Sequence, residues 1–252
     1  MKPEQSRQGH ERFDTLDWTE TARSLLQRGK DILPGLPAYL FLRHSHRKTP
    51  QTGPVSKTMP ITALGRDMAI EFGYRLSSVV IRDWEIYHSP ILRCKQTAEA
   101  IQAGYQGSNA VEVRGVMDEL VNVHGNMPRI MEYQEKFTYD WVNYWLLGFF
   151  PADDIEPAVH YGWRVCNKLV QLPAFSPAPL YIMVGHDDTV LALRGVLTGI
   201  PVDASWLSYL GGFWLQFAPD AILYSDATYS SRKSPYPSWW GHEEKSSCKG
   251  MD

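Results

Sequence analysis

Cysteine is scarce in this chain, and its three cysteines, Cys94, Cys166 and Cys248, lie far apart. They form no CxxC pair and no disulfide framework, which favours a reducing compartment. The longest apolar-aromatic stretch, "WVNYWLLGFF", is too short to span a bilayer. The polar N-terminus "MKPEQSRQGHERFD" has no apolar segment of the kind that secretory signals carry. We therefore expect a cytoplasmic protein without a membrane partner.

A strong net charge is also lacking. The 25 Lys and Arg residues nearly balance the 28 Asp and Glu residues, leaving a net charge of −3. No field of the whole protein would attract nucleic acid, so we expect no nucleic-acid partner. Any anion-binding site must therefore come from a local cluster of cations. A hydrophobic content of 44% is that of a globular protein with a sizeable core.

The predicted strands and helices alternate along the chain. Buried strands are predicted at 39–43 and 180–188, and further strands at 79–89 and 110–116, in "GGFWLQF" and in "AILYSD", the last two as an antiparallel pair. Helices are predicted at 63–77, with Thr62 as its cap, at 90–105 and at 189–201. This order predicts an α/β fold: a three-layer, doubly wound, mostly parallel sheet flanked by helices.

The predicted domain organisation has three parts. Residues 1–37 form a helical lead-in, with an amphipathic helix predicted at 11–33. Residues 38–226 form a single α/β domain, and a helical cap is inserted at about 128–172. Residues 227–252, rich in Ser, Pro and Lys, are predicted as a loop-like tail.

Polar residues follow three of the predicted strands, at the edge where open α/β sheets bind ligands. The first strand ends in Arg43, His44, His46 and Arg47, the second leads to Ser89 and Arg93, and the third to His186, Asp187 and Asp188. Cations that converge on one crevice would repel each other unless an anion lay between them. Because a planar guanidinium matches the oxygens of a phosphate, these residues predict a phosphate pocket.

A phosphate held in this way can react with a neighbouring imidazole. Neutral histidine is nucleophilic near neutral pH and leaves readily from phosphorus afterwards. The same guanidiniums would stabilise the charge of the transition state. A carboxylic acid must then protonate the departing alcohol, and Asp187, next to His186, is a candidate.

Three segments resemble the histidine phosphatase superfamily, whose members have a phosphoglycerate mutase-like fold. "RHSHR" resembles its RHGxR signature, "HSPILRCKQTAEAI" its Ser-x-x-x-Arg-x-x-x-(Thr/Ser)-Ala segment, and "VGHDDTVLAL" its H-D-x-T segment, over roughly residues 38–200. The resemblance implies a metal-independent phosphatase without a cofactor, in which His44 becomes phosphorylated. It implies that the phosphoryl group is bound by Arg43, Arg93, His186 and Arg47. The H-D pair favours the acid-phosphatase and phytase-like branch, with Asp187 as the general acid.

The sequence departs from the family pattern at several points. Ser45 stands where the superfamily usually has glycine, and the proline after Arg47 follows by three residues instead of two. The disulfides and the secretion signal of the phytase-like branch are missing. "MDEL" resembles the segment in which the mutase-like branch places its glutamate acid, so Glu119 rivals Asp187. The segment expected after the nucleophile of phosphoglycerate mutases is absent, which favours a phosphatase.

Two other functions are compatible with these residues. One is a metallohydrolase that uses His44, His46, His186 and Asp187 as ligands, although nearby arginines would repel a divalent cation. The other is a phosphate-binding protein of the same fold without turnover. For a phosphatase, we expect a small phosphorylated substrate such as a sugar or inositol phosphomonoester, with a phosphopeptide as an alternative. The sequence does not predict the oligomeric state. We expect Asp188 to cap the following helix.

Overall fold

The buried strands predicted from apolar runs form the centre of one mixed sheet. The computed structural model describes residues 3–50, 55–173, 176–203, 207–230 and 232–240. The strands in these ranges are Ala38–Arg43 (β1), Trp84–His88 (β2), Val111–Val116 (β3), Leu180–Gly185 (β4), Gly212–Ala218 (β5), Ala221–Asp226 (β6) and Arg232–Ser234 (β7). The sheet order is β3-β2-β4-β1-β5-β6-β7.

β1 lies at the junction of the parallel and antiparallel parts of the sheet. It pairs in parallel with β4, from Ala38 opposite Leu180 to Arg43 opposite Gly185. β2 pairs in parallel with both β4 and β3. On its other side β1 pairs antiparallel with β5, and β6 and β7 continue that arrangement. The prediction of a mostly parallel sheet with an antiparallel pair after it is therefore confirmed.

Helices cover both faces of the sheet. They are Pro3–Thr15 (α1), Glu20–Arg28 (α2), Ala63–Val79 (α3), Leu92–Gly104 (α4), Met127–Phe137 (α5), Trp141–Leu146 (α6), Ala158–Val170 (α7) and Asp187–Thr198 (α8). Because successive strand residues face opposite sides, Leu40 and Leu42 pack with α1–α4 while Tyr39 and Phe41 pack with α6–α8. Both clusters are almost fully buried, which gives the predicted three layers.

The lead-in differs from the single helix predicted at 11–33. α1 and α2 are separated at Leu16, where the backbone is extended, and by a 3-10 turn at Asp17–Thr19. The buried Thr19 hydroxyl donates to the carbonyls of Phe13 and Leu16, at 2.6 and 2.7 Å. These local bonds satisfy the end of α1 and turn the chain. Amphipathic spacing alone does not show such a break.

The segment predicted as a cap is helical, as α5, α6 and α7. Trp145 on α6 and Tyr161 and Val165 on α7 are buried in the same core as Tyr39 and Phe41. α6 and α7 therefore belong to the layer that covers the sheet, and a capping role for this segment stays a prediction. Among the described residues, no helix combines the length and the apolar character needed to cross a bilayer.

The C-terminal region contains one strand where a loop was predicted. β7 adds to the edge of the sheet, with Ser234 opposite Ile222 and Arg232 opposite Tyr224. The Ser, Pro and Lys content of this region did not predict a strand, because edge strands tolerate polar residues and so resemble loops in composition. Residues 241–252 of the predicted tail lie outside the described residues.

Candidate active site

The carboxyl ends of β1, β2 and β4 bring the predicted site residues together. The three strands are neighbours, with β4 in the middle. The amide of His44 donates to the carbonyl of Gly185 at 3.0 Å, and the amide of Ser89 donates to that of Val184 at 3.0 Å. The polar residues that follow each strand therefore meet at one edge of the sheet, as predicted.

His44 is buried, and its two ring nitrogens have different roles. Nδ1 lies 2.8 Å from the Ser45 carbonyl, which can only accept a hydrogen bond, so Nδ1 carries the proton. Nε2 lies 3.0 Å from Nε of Arg93 and accepts from it. The side chain is 2% exposed. The lone pair of Nε2 is thus directed toward the guanidinium that the resemblance assigns to phosphate binding.

Arg93 also joins His44 to His186. Its Nη2 lies 3.3 Å from Nδ1 of His186, and the two imidazole centroids are 5.5 Å apart. Because arginine has no acceptor, Nδ1 of His186 must accept, and the proton of that ring resides on Nε2. Nε2 then donates to Oγ of Ser89 at 3.1 Å. One guanidinium and two oriented imidazoles therefore surround the same small space.

Burial keeps both imidazoles neutral near pH 7. It lowers the pKa of His44 well below the usual value of 6.5, and the charges of Arg93 and Arg43 lower it further. Burial, followed by the Arg93 charge, lowers the pKa of His186 to about 3. A neutral His44 retains the lone pair that a nucleophile needs.

Arg43 lies at the same edge and is held by three groups. Its Nη2 pairs with Oδ2 of Asp187 at 2.9 Å, its Nη1 donates to the Leu207 carbonyl at 2.5 Å, and its guanidinium lies 4.4 Å from the ring centroid of Tyr209. The Asp187 carboxylate, proposed from the sequence as an acid, is thus the counter-ion of Arg43. One of its two carboxylate oxygens is therefore already engaged by Arg43.

Two buried guanidinium N–H groups of the predicted site residues can donate hydrogen bonds to an anion. Within the described part of the chain, Nε of Arg43 and Nε of Arg47 have no hydrogen-bond partner. The charge of Arg47 contributes to the lowered pKa of both His186 and Arg93. Buried N–H donors are normally paired. Guanidinium N–H groups of this kind match the oxygens of a phosphoryl group.

Glu119 follows β3 in a short 3-10 turn, Asp118–Leu120, that crosses the same edge. The Thr189 hydroxyl, one turn into α8, donates to the Leu120 carbonyl at 3.0 Å and holds the turn beside β4. Glu119 is half-exposed, and no hydrogen bond or ion pair involves its carboxyl among the described residues. Its carboxyl group is therefore unengaged within the described part of the chain.

The alternative set of metal ligands does not come together. Nδ1 of His46 lies 2.9 Å from the Thr62 hydroxyl, and its ring stacks on Trp18. Across the described ranges, no group of three or more His, Cys, Asp or Glu side chains is arranged to hold a metal ion. His44 and His186 share a guanidinium instead, an environment that repels a divalent cation.

Ser45, the departure from the family glycine, is integrated into the turn after His44. Its hydroxyl donates to the Gly65 carbonyl at 2.7 Å, and its amide donates to the Thr97 hydroxyl at 3.0 Å. Gly65 must lack a side chain, because a Cβ there would lie 2.4 Å from the His46 carbonyl oxygen. The predicted cap Thr62 accepts from the Gly65 amide and so fixes α3 against this turn.

The roles of two residues at the site differ from what the sequence predicted: Asp188 was expected to cap α8, whose N-cap is His186, and Tyr209 was not predicted as a site residue. Asp188 lies within the first turn of α8, where its Oδ1 accepts from the Thr189 amide at 2.8 Å. Burial and the adjacent Asp187 raise the pKa of Asp188 to about 7, and Gln134 on α5 donates to its carboxyl at 3.3 Å. Tyr209 lies beside His44 with ring centroids 5.8 Å apart. In the sequence, the pair Asp187-Asp188 after a buried strand drew attention to Asp188, whereas no pattern indicated Tyr209.

The fold and this geometry define an α/β protein with a cluster of imidazoles and guanidiniums at the carboxyl edge of its sheet. The family model of the histidine phosphatase superfamily, branch 1, matches residues 39–211, which is more than half of the chain. The chain therefore belongs to the histidine phosphatase superfamily. This match does not show the finer assignment to the acid-phosphatase and phytase-like branch. No curated relative is significantly similar to the sequence.

Solved structures show the same fold at low sequence identity. YhfR of Bacillus stearothermophilus is 16% identical with a TM-score of 0.53, over 75% of this chain and 96% of that chain. Phosphoglycerate mutase of Bacillus anthracis str. Sterne is 11% identical with a TM-score of 0.53, over 76% and 92%. The Rv3214 protein of Mycobacterium tuberculosis is 17% identical with a TM-score of 0.50, over 75% and 95%.

Proposed function

We propose that this protein is a metal-independent phosphatase that hydrolyses a small phosphomonoester through a phosphohistidine at His44. The observation that carries the proposal is the orientation of the His44 ring: Nδ1 donates to Ser45, and Nε2 accepts from Arg93 at 3.0 Å. Membership of the histidine phosphatase superfamily supports this chemistry. Cytoplasmic location and a sugar, inositol or peptide leaving group stay predictions.

In the first step, the phosphoryl group enters between Arg93 and His44, so that the Arg93 guanidinium turns its hydrogen bond from Nε2 of His44 to a phosphoryl oxygen and Nε2 faces phosphorus. The lone pair of Nε2 attacks phosphorus, the P–O bond to the alcohol breaks, and a carboxylic acid protonates the departing oxygen. Arg93, His186, Arg43 and Arg47 donate hydrogen bonds to the phosphoryl oxygens, whose charge is spread in the transition state. His186 donates from Nδ1 in this step, after its ring proton has moved there from Nε2.

In the second step, water attacks the phosphorus of the phosphohistidine. The carboxylate left by the first step takes a proton from that water, the P–N bond breaks, and inorganic phosphate leaves. Neutral His44 is regenerated with its Nδ1 proton still bonded to Ser45. The cycle therefore needs no external oxidant, reductant or metal ion.

We propose Glu119 as the proton donor and Asp187 as the residue that positions Arg43. Glu119 has the unengaged carboxyl group, whereas Asp187 forms an ion pair with Arg43 at 2.9 Å. If Glu119 is the donor, Glu119→Gln should slow the release of alcohols of high pKa far more than that of nitrophenol. Asp187→Asn should show no such dependence on the leaving group. If Asp187→Asn shows this dependence on the leaving group and Glu119→Gln does not, Asp187 is the proton donor.

Turnover of an aryl phosphate in the presence of EDTA tests the proposed function. Wild type should release inorganic phosphate, and His44→Ala should abolish that release. His160→Ala, at an exposed histidine on α7, is the matched control and should retain it. Loss of activity in EDTA, or activity in His44→Ala, would contradict the mechanism. Phosphate binding without turnover would favour the non-catalytic alternative.

A further inference from the structure

Three half-buried rings stand together beside the phosphate pocket. Trp18 stacks on His46, with centroids 5.6 Å apart and planes at 23°. Tyr209 lies edge-on to both, 5.8 Å from Trp18 and 5.1 Å from His46. The Tyr209 ring is also 5.8 Å from the ring of His44, the proposed nucleophile. Tyr209 therefore connects this ring set to the imidazole of His44.

These rings are held in fixed positions. The Arg43 guanidinium lies over Tyr209, 4.4 Å from its centroid, and the next residue, the fully buried Leu210, adopts a left-handed φ of 57°. A left-handed non-glycine residue is strained and persists only where its surroundings fix it. His46 is fixed by Thr62 through its Nδ1 at 2.9 Å. Burial lowers the pKa of His46, so its ring is neutral near pH 7.

The ring set joins two distant parts of the chain. Tyr209 belongs to the segment before β5, within the region that matches the family model, residues 39–211. Trp18 belongs to the lead-in, outside that region, in the 3-10 turn between α1 and α2. The turn that Thr19 fixes at the end of α1 therefore brings an additional ring to the rim of the site.

We propose that Trp18, His46 and Tyr209 form a subsite for an aromatic or other planar group carried by the alcohol portion of the substrate. The proposal rests on the proposed function, since it places the phosphoryl group against His44. A planar group next to the phosphoryl would reach rings that are already partly exposed and rigid, and it would gain offset-stacked or edge-to-face contacts. Such a contact is worth roughly threefold to tenfold in affinity for each ring.

Equilibrium binding of two phosphonates tests the subsite without requiring turnover. Phenylphosphonate and methylphosphonate present the same anion, and only the first has a ring. Titration calorimetry should show wild type binding phenylphosphonate roughly tenfold or more tightly than methylphosphonate. Trp18→Ala should reduce this ratio by roughly threefold to tenfold. Tyr209→Phe, which keeps the ring, should retain the ratio.

Trp239→Ala is the matched control. Trp239 is also a half-buried tryptophan, and it packs on Trp240, which contacts Phe217 at the far end of β5. This variant should bind both phosphonates as wild type does. Equal binding of the two phosphonates by wild type, or an unchanged ratio in Trp18→Ala, would overturn the subsite. An equal loss of both affinities in Trp18→Ala would show a structural role and would overturn it as well.

The outcome is separable from that of the proposed function. Selective binding of phenylphosphonate without phosphatase turnover would support the subsite and contradict the catalytic proposal. Phosphatase turnover with equal binding of the two phosphonates would support the catalytic proposal and contradict the subsite.

Discussion

Replacing Arg93 with lysine should remove most of the catalytic power while leaving the fold intact. The guanidinium makes hydrogen bonds from Nε to His44 at 3.0 Å, from Nη2 to His186 at 3.3 Å and from Nη1 to the Ser56 carbonyl at 3.2 Å. Lysine keeps the charge but is a single point donor on a flexible stem. It cannot occupy the position of Nε beside His44 and that of Nη2 beside His186 at once.

The size of the loss follows from these contacts. Each hydrogen bond to a charged group contributes about 1.5–3 kcal/mol, and losing one preorganised donor to a transition-state oxyanion costs about 10²–10³ in rate. Arg93→Lys loses at least one such donor, so we expect kcat/KM to fall by about 10²–10³. Arg93→Ala also loses the charge, so its kcat/KM should be lower still.

The assay is steady-state hydrolysis of an aryl phosphate, with thermal denaturation as the check on folding. Arg66→Lys, at an exposed arginine on α3, is the matched control and should behave as wild type. The reasoning would be refuted if Arg93→Lys, folded as wild type, kept kcat/KM within about fivefold of the wild-type value.

Three further predictions concern stability. The pKa of His186 is lowered to about 3, so from about pH 6.5 downward the unfolded chain binds a proton that the folded chain excludes. The contribution of His186 to the unfolding free energy is thus constant above that range and falls by up to about 1.4 kcal/mol per pH unit below it. Urea denaturation at a series of pH values should therefore show an unfolding free energy that falls less steeply with decreasing pH in His186→Gln than in wild type. The same pH dependence in both proteins would contradict this. Gly65→Ala places a Cβ 2.4 Å from the His46 carbonyl and should destabilise the fold by about 1–3 kcal/mol, so an unchanged melting temperature would argue against the close approach. Ser45→Gly removes the 2.7 Å bond to the Gly65 carbonyl and adds backbone freedom, which should cost about 1–2 kcal/mol in thermal denaturation. The same variant should retain turnover, because the backbone carbonyl that orients His44 is unchanged; loss of turnover at wild-type stability would assign the hydroxyl a catalytic role.

Sequence patterns predicted the central elements because burial determines them. The run "YLFLR" and the run "LYIMVG" are β1 and β4, and they pair along their whole length. The cations after them meet because parallel strands share an edge. Thr62, with its hydroxyl three residues before Gly65, was predicted correctly as a helix cap because capping depends on local spacing.

Contacts between residues that are far apart in the sequence could not be predicted from such patterns. The ion pair between Arg43 and Asp187 depends on the register of β1 against β4 and on the start of α8. The contact of Trp18 with His46 depends on a turn whose hydrogen bonds come from a buried threonine. Hydrophobic periodicity predicts neither relation, because it reports which face is buried and not which residue it meets.

Chemical quench of the enzyme during turnover tests the central claim most directly. Alkaline quench and peptide mass spectrometry should find one phosphoryl group, stable to base and labile to acid, on the peptide that contains His44. The label should be absent from His44→Asn and should appear at the same rate with or without EDTA. Turnover with no phosphorylated histidine, or with the label on another residue, would contradict the account.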